Sequence, residues 1–301
     1  EALNASGAAG LIWVDERLPF DWPVSIGTPY DWRDICRLPQ VGISWADGWE
    51  IAAALDAGAK ARVRLFSDVC SRAAQSWNAF AELPGSSDEF VHIGGHIDSV
   101  VVGTGADDDA SGVAVTLEVA RLLAEAGVGP LRTVRFCCFG AEEQLSEGSR
   151  QYVLAHEDEV ERTRLCVNLD SVGSIAGRNE ARVVGPPELT AEVRALIDGG
   201  EVPYSAAVLE EVSPYSDMFA FNARGVPSVW LYRVNMGTLR HFHHSYLDDL
   251  QGVSARRIAE AASMSARLVY DAATREHYHP RAIPPELAQT VRKHAKVYYG
   301  W

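Results

Sequence analysis

An α/β fold is predicted for this chain: three layers, with helices on both faces of a mostly parallel mixed sheet. Two observations carry the prediction. From about residue 70, short apolar runs alternate with helical segments, the pattern of successive βα units. The length, 301 residues of which 47% are hydrophobic, suits one large domain or a large domain with a small companion.

Taken in order, residues 1–66 read as a small α+β module. Leu11–Val14 and Val41–Trp45 are apolar strands, separated by an irregular loop rich in Trp, Pro and Asp over Phe20–Pro39. Asp47 caps a helix through Leu55, and Gly58 ends it in the position that glycine favours. Arg62–Phe66 alternates as a closing strand. The larger unit, residues 67–301, begins with strands Trp77–Leu83 and Glu89–Ile97, joined by a turn at Pro84-Gly85. Ser111 opens a helix carrying Val115, Val119, Leu122 and Leu123, and Gly127 stops it. Leu131–Phe139 is the most hydrophobic run and is expected to be the central strand, with Leu165–Asp170 another. Thr190–Ile197 and Tyr215–Asn222 read as helices, and Pro227–Arg233 as a strand. Ser254–Ala272 is a long amphipathic helix, and Pro284–Tyr299 a last one.

Composition narrows the partners. A net charge of −14 argues against nucleic acid or an anionic membrane surface, both of which call for clustered Lys and Arg. No apolar run is long enough to span a bilayer. No signal peptide is visible, and the chain begins at Glu1 rather than Met. Of five cysteines, none has zinc-finger spacing, and Cys137-Cys138 lie inside an apolar run as buried reduced thiols.

The chemistry lies where strands give way to loops. His96-Ile97-Asp98 puts its imidazole and its carboxylate on one side of an extended chain. There Asp98 can accept the second N–H of His96 and fix the tautomer that presents the other nitrogen to a metal. Asp107-Asp108-Asp109, among small residues before a helix, would repel strongly unless solvated or bound to a cation. Glu142-Glu143 follows the apolar strand Leu131–Phe139 through Gly140-Ala141, and neighbouring side chains point apart. One can therefore ligate a metal while the other faces a water. Asp170 repeats the placement after Leu165–Leu169, and His241, His243 and His244 supply imidazole. Oxygen and imidazole donors without thiolate suit a catalytic zinc-type site.

Five segments in this order resemble the double-zinc aminopeptidase family, which includes bacterial leucine-type aminopeptidases, glutamate carboxypeptidases and plasma-type dipeptidases. They are Gly94-Gly95-His96-Ile97-Asp98-Ser99, Gly105–Gly112, Ala141-Glu142-Glu143, Asn168-Leu169-Asp170 and His243–Asp248, and the resemblance spans roughly residues 70–272. Residues 1–66 resemble the C-terminal part of a protease-associated domain. The resemblance implies a zinc-peptidase fold and two Zn²⁺ bridged by Asp108, with Co²⁺ or Mn²⁺ as substitutes. His96 and Asp170 would complete one site, and Glu143 and His244 the other. Glu142 would be the general base, acting on a water or hydroxide held between the ions, with Asp98 behind His96. A cis peptide at Asp108-Asp109 is implied too, and a secreted or extracytoplasmic location is favoured.

This chain departs from the family pattern Glu-Glu-x-Gly-Leu-x-Gly-Ser at Leu145, which stands where glycine is common in the run Glu142–Ser149. Met218 stands where a histidine is common. The expected substrate is a short peptide, with an aminopeptidase favoured over a carboxypeptidase or dipeptidase. Arg233 or Arg240 could receive a substrate carboxylate, and Tyr215 and Tyr246 could line a pocket. A single-zinc glutaminyl cyclase or a non-catalytic binding domain of the same fold are the alternatives of another class. The sequence leaves the oligomeric state open.

Overall fold

The computed structural model describes residues 7–14, 39–66, 68, 72–234 and 243–301. In the first unit, β1 (Leu11–Val14) pairs in parallel with β2 (Gln40–Ile43), and α1 (Trp45–Asp56) follows. The helix is capped by Ser44 rather than by Asp47. The Asp47 N–H donates to Ser44 Oγ at 3.1 Å, and the Ser44 hydroxyl donates back to the Asp47 carboxylate at 2.7 Å. Residues 62–66 are not a strand. Most of the Trp/Pro/Asp-rich loop, Cys36 and Cys70 lie outside the described residues.

The main unit is a seven-stranded mixed sheet: β3 (Ala79–Leu83), β4 (Phe90–His96), β5 (Thr133–Phe139), β6 (Thr163–Leu169), β7 (Arg178–Val184), β8 (Ala206–Glu210) and β9 (Ser228–Val234). Their order across the sheet is β3-β5-β4-β6-β9-β7-β8. The inner four, β5-β4-β6-β9, run parallel, so their C-terminal ends share one edge. β3 lies antiparallel to β5, and β7 antiparallel to β9. The most hydrophobic strand, β5, is thus second from an edge, and β6 is central. β3 and β4, adjacent in sequence, are separated by β5.

Two helical layers complete the fold. On one face lie α2 (Ala110–Glu125), α5 (Pro187–Asp198) and α7 (Ala255–Thr274); on the other lie α3 (Glu147–Ala155), α4 (Glu157–Glu161), α6 (Met218–Asn222) and α8 (Pro285–Tyr298). Period-two alternation sorts the strand residues between them. Leu165, Val167 and Leu169 of β6 join the first core with Val115, Val119 and Leu268, whereas Cys166 joins the second with Phe219, Phe221 and Tyr152. Cys137, Cys138 and Cys166 are free thiols. No helix among the described residues is long and apolar enough to cross a membrane.

Gly94 and Gly95 let β4 sit tightly between its neighbours. A Cβ on Gly94 would lie 1.8 Å from Cys137 O, and one on Gly95 would lie 2.0 Å from Leu169 O and 2.1 Å from Asp109 Oδ2. Those obstacles are mostly backbone and cannot rotate away. Gly94→Ala is therefore expected to cost about 3 kcal/mol, the upper end for an overpacked site. Urea unfolding measures this, and an unchanged midpoint would contradict the packing described.

Candidate metal centre

The parallel strands deliver their acids and imidazoles to one edge of the sheet, the usual location of sites in open α/β sheets. His96 is the last residue of β4; Glu142 and Glu143 follow β5 after Gly140 and Ala141; Asp170 directly follows β6. Asp108 comes from the loop before α2, and His243 and His244 from the segment beyond β9.

Asp108, 5% exposed, is the meeting point. Its Oδ1 lies 3.1 Å from His96 Nε2. Its Oδ2 lies 2.8 Å from His243 Nδ1 and 3.3 Å from His244 Nε2. His244 Nε2 is also 3.0 Å from Glu143 Oε2, and its imidazole stacks on that of His243 with centroids 3.7 Å apart. Asp170 accepts from the Ser216 hydroxyl at 2.5 Å and from the Ser171 hydroxyl at 3.2 Å. Glu142 stands to one side, its Oε2 3.9 Å from His96 Nε2 and its Oε1 accepting from the Ser146 hydroxyl at 2.8 Å.

Burial and like charges shape the protonation of this cluster. Burial, then the neighbouring carboxylates, raises Asp107 and Asp217 to about 7 and Asp170 and Asp248 to about 6. For Asp170 and Asp217, His96 partly offsets the rise. Burial also pushes Glu142 well above the ordinary carboxylate range; His96 opposes this, and Asp217, Asp170 and Glu143 add to it. Burial works against charge on His244, but Asp108 and Glu143 outweigh it and bring its pKa to about 9. His96 is raised well above its ordinary value by Asp108, Glu142, Asp109 and Asp170, again against its burial. Asp108 shows the reverse balance: despite its burial, the three histidines hold it well below its usual value.

The loops are held by carboxylates that accept backbone N–H groups. Asp109 accepts from His96 N at 3.0 Å, Gly112 N at 3.0 Å and Ser171 N at 3.1 Å, tying together the ends of β4, β6 and the start of α2. Asp248 accepts from Asp107 N at 2.7 Å and Asp108 N at 3.1 Å. Asp98 stands behind His96, its carboxylate Oδ1 3.7 Å from Nδ1, but the hydrogen bond goes to its carbonyl. His96 Nδ1 donates to the Asp98 carbonyl at 3.0 Å, while the Asp98 carboxylate accepts from Glu142 N at 3.0 Å and Glu143 N at 3.2 Å. The imidazole still presents Nε2 to the cluster, and the carboxylate aims the Glu142-Glu143 turn. The Asp108-Asp109 peptide is cis.

This donor set fits divalent ions. The ligand atoms of His96, Asp108 and Asp170 lie within 4.8 Å of one another, and so do those of Asp108, His243 and His244. Either group could hold an ion, and they share Asp108, whose two oxygens face opposite ways. Among the described residues, Glu143 Oε1 lacks a hydrogen-bond partner, and the wholly buried Asp217 carboxylate has only the Ser149 hydroxyl as a donor to offset it. Buried acids left in that state are costly unless a cation compensates them.

Other candidates lie elsewhere. The Arg233 guanidinium is buried, donating to Ser174 O, to Asn179 Oδ1 at 2.7 Å and to Gly177 O at 2.7 Å. Its donors serve a loop, so it does not stand open to a substrate carboxylate. Arg240 lies outside the described residues. Tyr215 is half exposed, its hydroxyl accepting from Tyr298 at 3.0 Å, and Tyr246 is likewise half exposed. The sequence reading named His243 among its imidazole donors but assigned no individual role to Asp109, Asp248, Ser216 or Asp217. Asp109 had a local signal, an aspartate three residues before Gly112 at a helix start. The others act across the chain and had none.

A mixed α/β sheet with buried carboxylates and imidazoles converging on one edge defines a metal-site α/β protein. The family model described as Peptidase family M28 matches residues 78–269, and the chain belongs to this family. It is 29% identical to carboxypeptidase Q of Rattus norvegicus over 215 residues, 69% of this chain and 43% of that protein. It is 33% identical to an aminopeptidase of Pseudomonas aeruginosa (strain UCBPP-PA14) over 184 residues, 58% of this chain and 32% of the other. A solved structure of a peptidase M28 precursor from Shewanella amazonensis SB2B matches with a TM-score of 0.76 and 26% identity, over 94% of this chain and 64% of that one. The chain spans about half the length, or less, of the curated relatives it matches.

The electrostatics predict how pH acts on stability. A carboxyl raised by folding stabilises the fold at low pH, and that contribution is lost as pH climbs from about 4 through the raised value. Asp107, Asp170, Asp217 and Asp248 place this loss between about 4 and 7. The raised histidines act in the same sense: their contribution is complete below about 6.5 and is lost through about 9 for His244. Asp108, held low, has the opposite sign and matters only below about pH 4. Metal binding needs the candidate ligands among them, Asp170 and the histidines, deprotonated. Under chelator, Tm is therefore expected to fall from pH 5 to pH 8, and the increment on adding Zn²⁺ to grow over the same interval. A metal increment that shrinks with pH would contradict the assignment.

Proposed function

We propose that this chain is a zinc peptidase that releases N-terminal residues from short peptides, with Glu142 as general base. The observation that carries the reading is the convergence of His96, Asp170, His243 and His244 on the shared Asp108, with Glu143 against His244 and Glu142 standing to one side. Membership of the M28 family supports zinc, and the two ligand groups support two ions. Bound there, the ions would polarise the scissile carbonyl and make water more acidic.

The rest of the chemistry falls to the chain. Glu142 takes a proton from the attacking water and passes it to the leaving amine, a role worth on the order of 10²–10⁴-fold. A carboxyl raised by burial and held 3.9 Å from the His96 imidazole suits two-way proton traffic. Asp98 fixes the Glu142 backbone, and Asp109 keeps His96 and the Asp170 strand end in register.

The charge of the cleft supports an amino-terminal handle. The positive groups that chiefly act on its acids are histidines, and Arg233 is engaged in its loop. A substrate ammonium finds compensation there more readily than a substrate carboxylate. The likeness to carboxypeptidase Q, together with the His243-His244-Ser245 doublet, favours a dipeptidase or carboxypeptidase as the second reading.

One measurement separates these, and a second tests the base. Leucine p-nitroanilide should be cleaved and N-blocked peptides with a free carboxylate should not; the reverse result selects the second reading. Glu142→Gln should retain about two ions per chain and lose turnover by roughly 10²-fold or more. A variant of wild-type rate would remove Glu142 from the base role.

A further inference from the structure

Ser146 occupies the N-cap position of α3, yet its side chain makes no capping bond to the helix. A serine in that place ordinarily accepts an N–H from the first turn. Here the hydroxyl turns the other way and donates to Glu142 Oε1 at 2.8 Å. The backbone repeats the grip, Ser146 N donating to Glu142 O at 2.7 Å. Leu145 and Ser146 both adopt left-handed backbone, with φ of 65° and 52°, conformations that L side chains rarely take. The stretch is thus folded back so that a buried hydroxyl, 1% exposed, reaches the carboxylate. It directly follows Leu145, which stands where the family pattern has glycine.

Behind Ser146 stands Tyr299, just past the end of α8. Its ring packs on Phe219 at 5.3 Å between centroids, with the Arg150 guanidinium 5.9 Å from the ring centre. The Tyr299 hydroxyl is buried against the Ser146 side chain, close enough to feel the charges of Asp217 and Glu142. The Ser146 proton goes to Glu142, and the Tyr299 hydroxyl lies beside the oxygen of that serine.

We propose that Ser146 is a positioning residue for the candidate base, aiming the Glu142 carboxylate at the cluster, and that Tyr299 of the C-terminal segment holds the Ser146 hydroxyl in turn. This rests on the reading of Glu142 as base. Ser146 touches no reacting atom; it acts by removing rotational freedom from a carboxylate that must face water on one side and the leaving amine on the other. The C-terminal segment thereby becomes part of the catalytic geometry rather than packing alone.

The test is a mutant cycle on metal-loaded protein with leucine p-nitroanilide, accompanied by metal content, Tm and a crystal structure. Ser146→Ala should lower kcat on the order of tenfold with KM within about twofold and metal content unchanged. Its crystal structure should show the Glu142 carboxylate turned away from its present place. Tyr299→Phe should lower kcat several-fold, and the double variant should be no slower than Ser146→Ala, because the tyrosine acts through the serine. In a Glu142→Gln background, Ser146→Ala should cause no further loss. If Ser146→Ala does not fold, Ser146→Gly, at ease in left-handed backbone, takes its place. Wild-type kcat in the serine variant beside an inactive Glu142→Gln, or multiplicative losses in the double variant, would overturn the positioning role alone. Wild-type kcat in Glu142→Gln would instead overturn the base assignment.

Discussion

The Asp108 carboxylate, shared between two groups of side chains able to hold a cation, is the constraint on which the rest of the structure depends. One oxygen faces His96, and the other faces His243 and His244. Around it, Asp107, Asp109, Asp170, Asp217 and Asp248 are buried within the same edge of the sheet. Like charges at such density oppose folding unless protons or cations offset them. The raised values of Asp107, Asp170, Asp217 and Asp248 are the proton form of that offset. Divalent ions are the form compatible with neutral pH.

Much of the architecture works to keep those acids together. Four parallel strands end at one edge, so ligands distant in sequence arrive side by side. Gly94 and Gly95 allow β4 to approach β5 and β6 with no side chain between them. Asp109 joins two strand ends to a helix start, and Asp248 and Asp98 hold the two loops that carry Asp108 and the Glu142-Glu143 pair. Each of these is a carboxyl group accepting from two or three backbone N–H groups. The site is therefore rigid because its loops are bonded to carboxylates, not because they are apolar.

What the sequence revealed and what it hid follow the same logic. Strand ends carrying acids and imidazoles were legible because strand termini and ligand types are local properties. Strand order was not: β5 is highly apolar because helices cover both its faces, which says nothing of how near the centre it lies. β7 escaped notice because Arg178, Glu180 and Arg182 interrupt its apolar pattern. In the fold, Glu180 is buried between the two arginines, at 2.8 Å from Arg178 and 2.9 Å from Arg182. Arg233 misled for the opposite reason: a cation near the histidines in sequence proved to be bound to its own neighbourhood. Asp248, Ser216 and Asp217 are defined by partners far along the chain, and no spacing rule marks them.

The central claim is that one carboxylate joins two ions in this cleft. Anomalous diffraction at the zinc absorption edge, from crystals of the zinc-loaded chain, tests it most directly. The account predicts two peaks, one beside His96 and Asp170 and one beside His244 and Glu143, each within coordinating distance of Asp108. A single peak away from Asp108, or none, would contradict it.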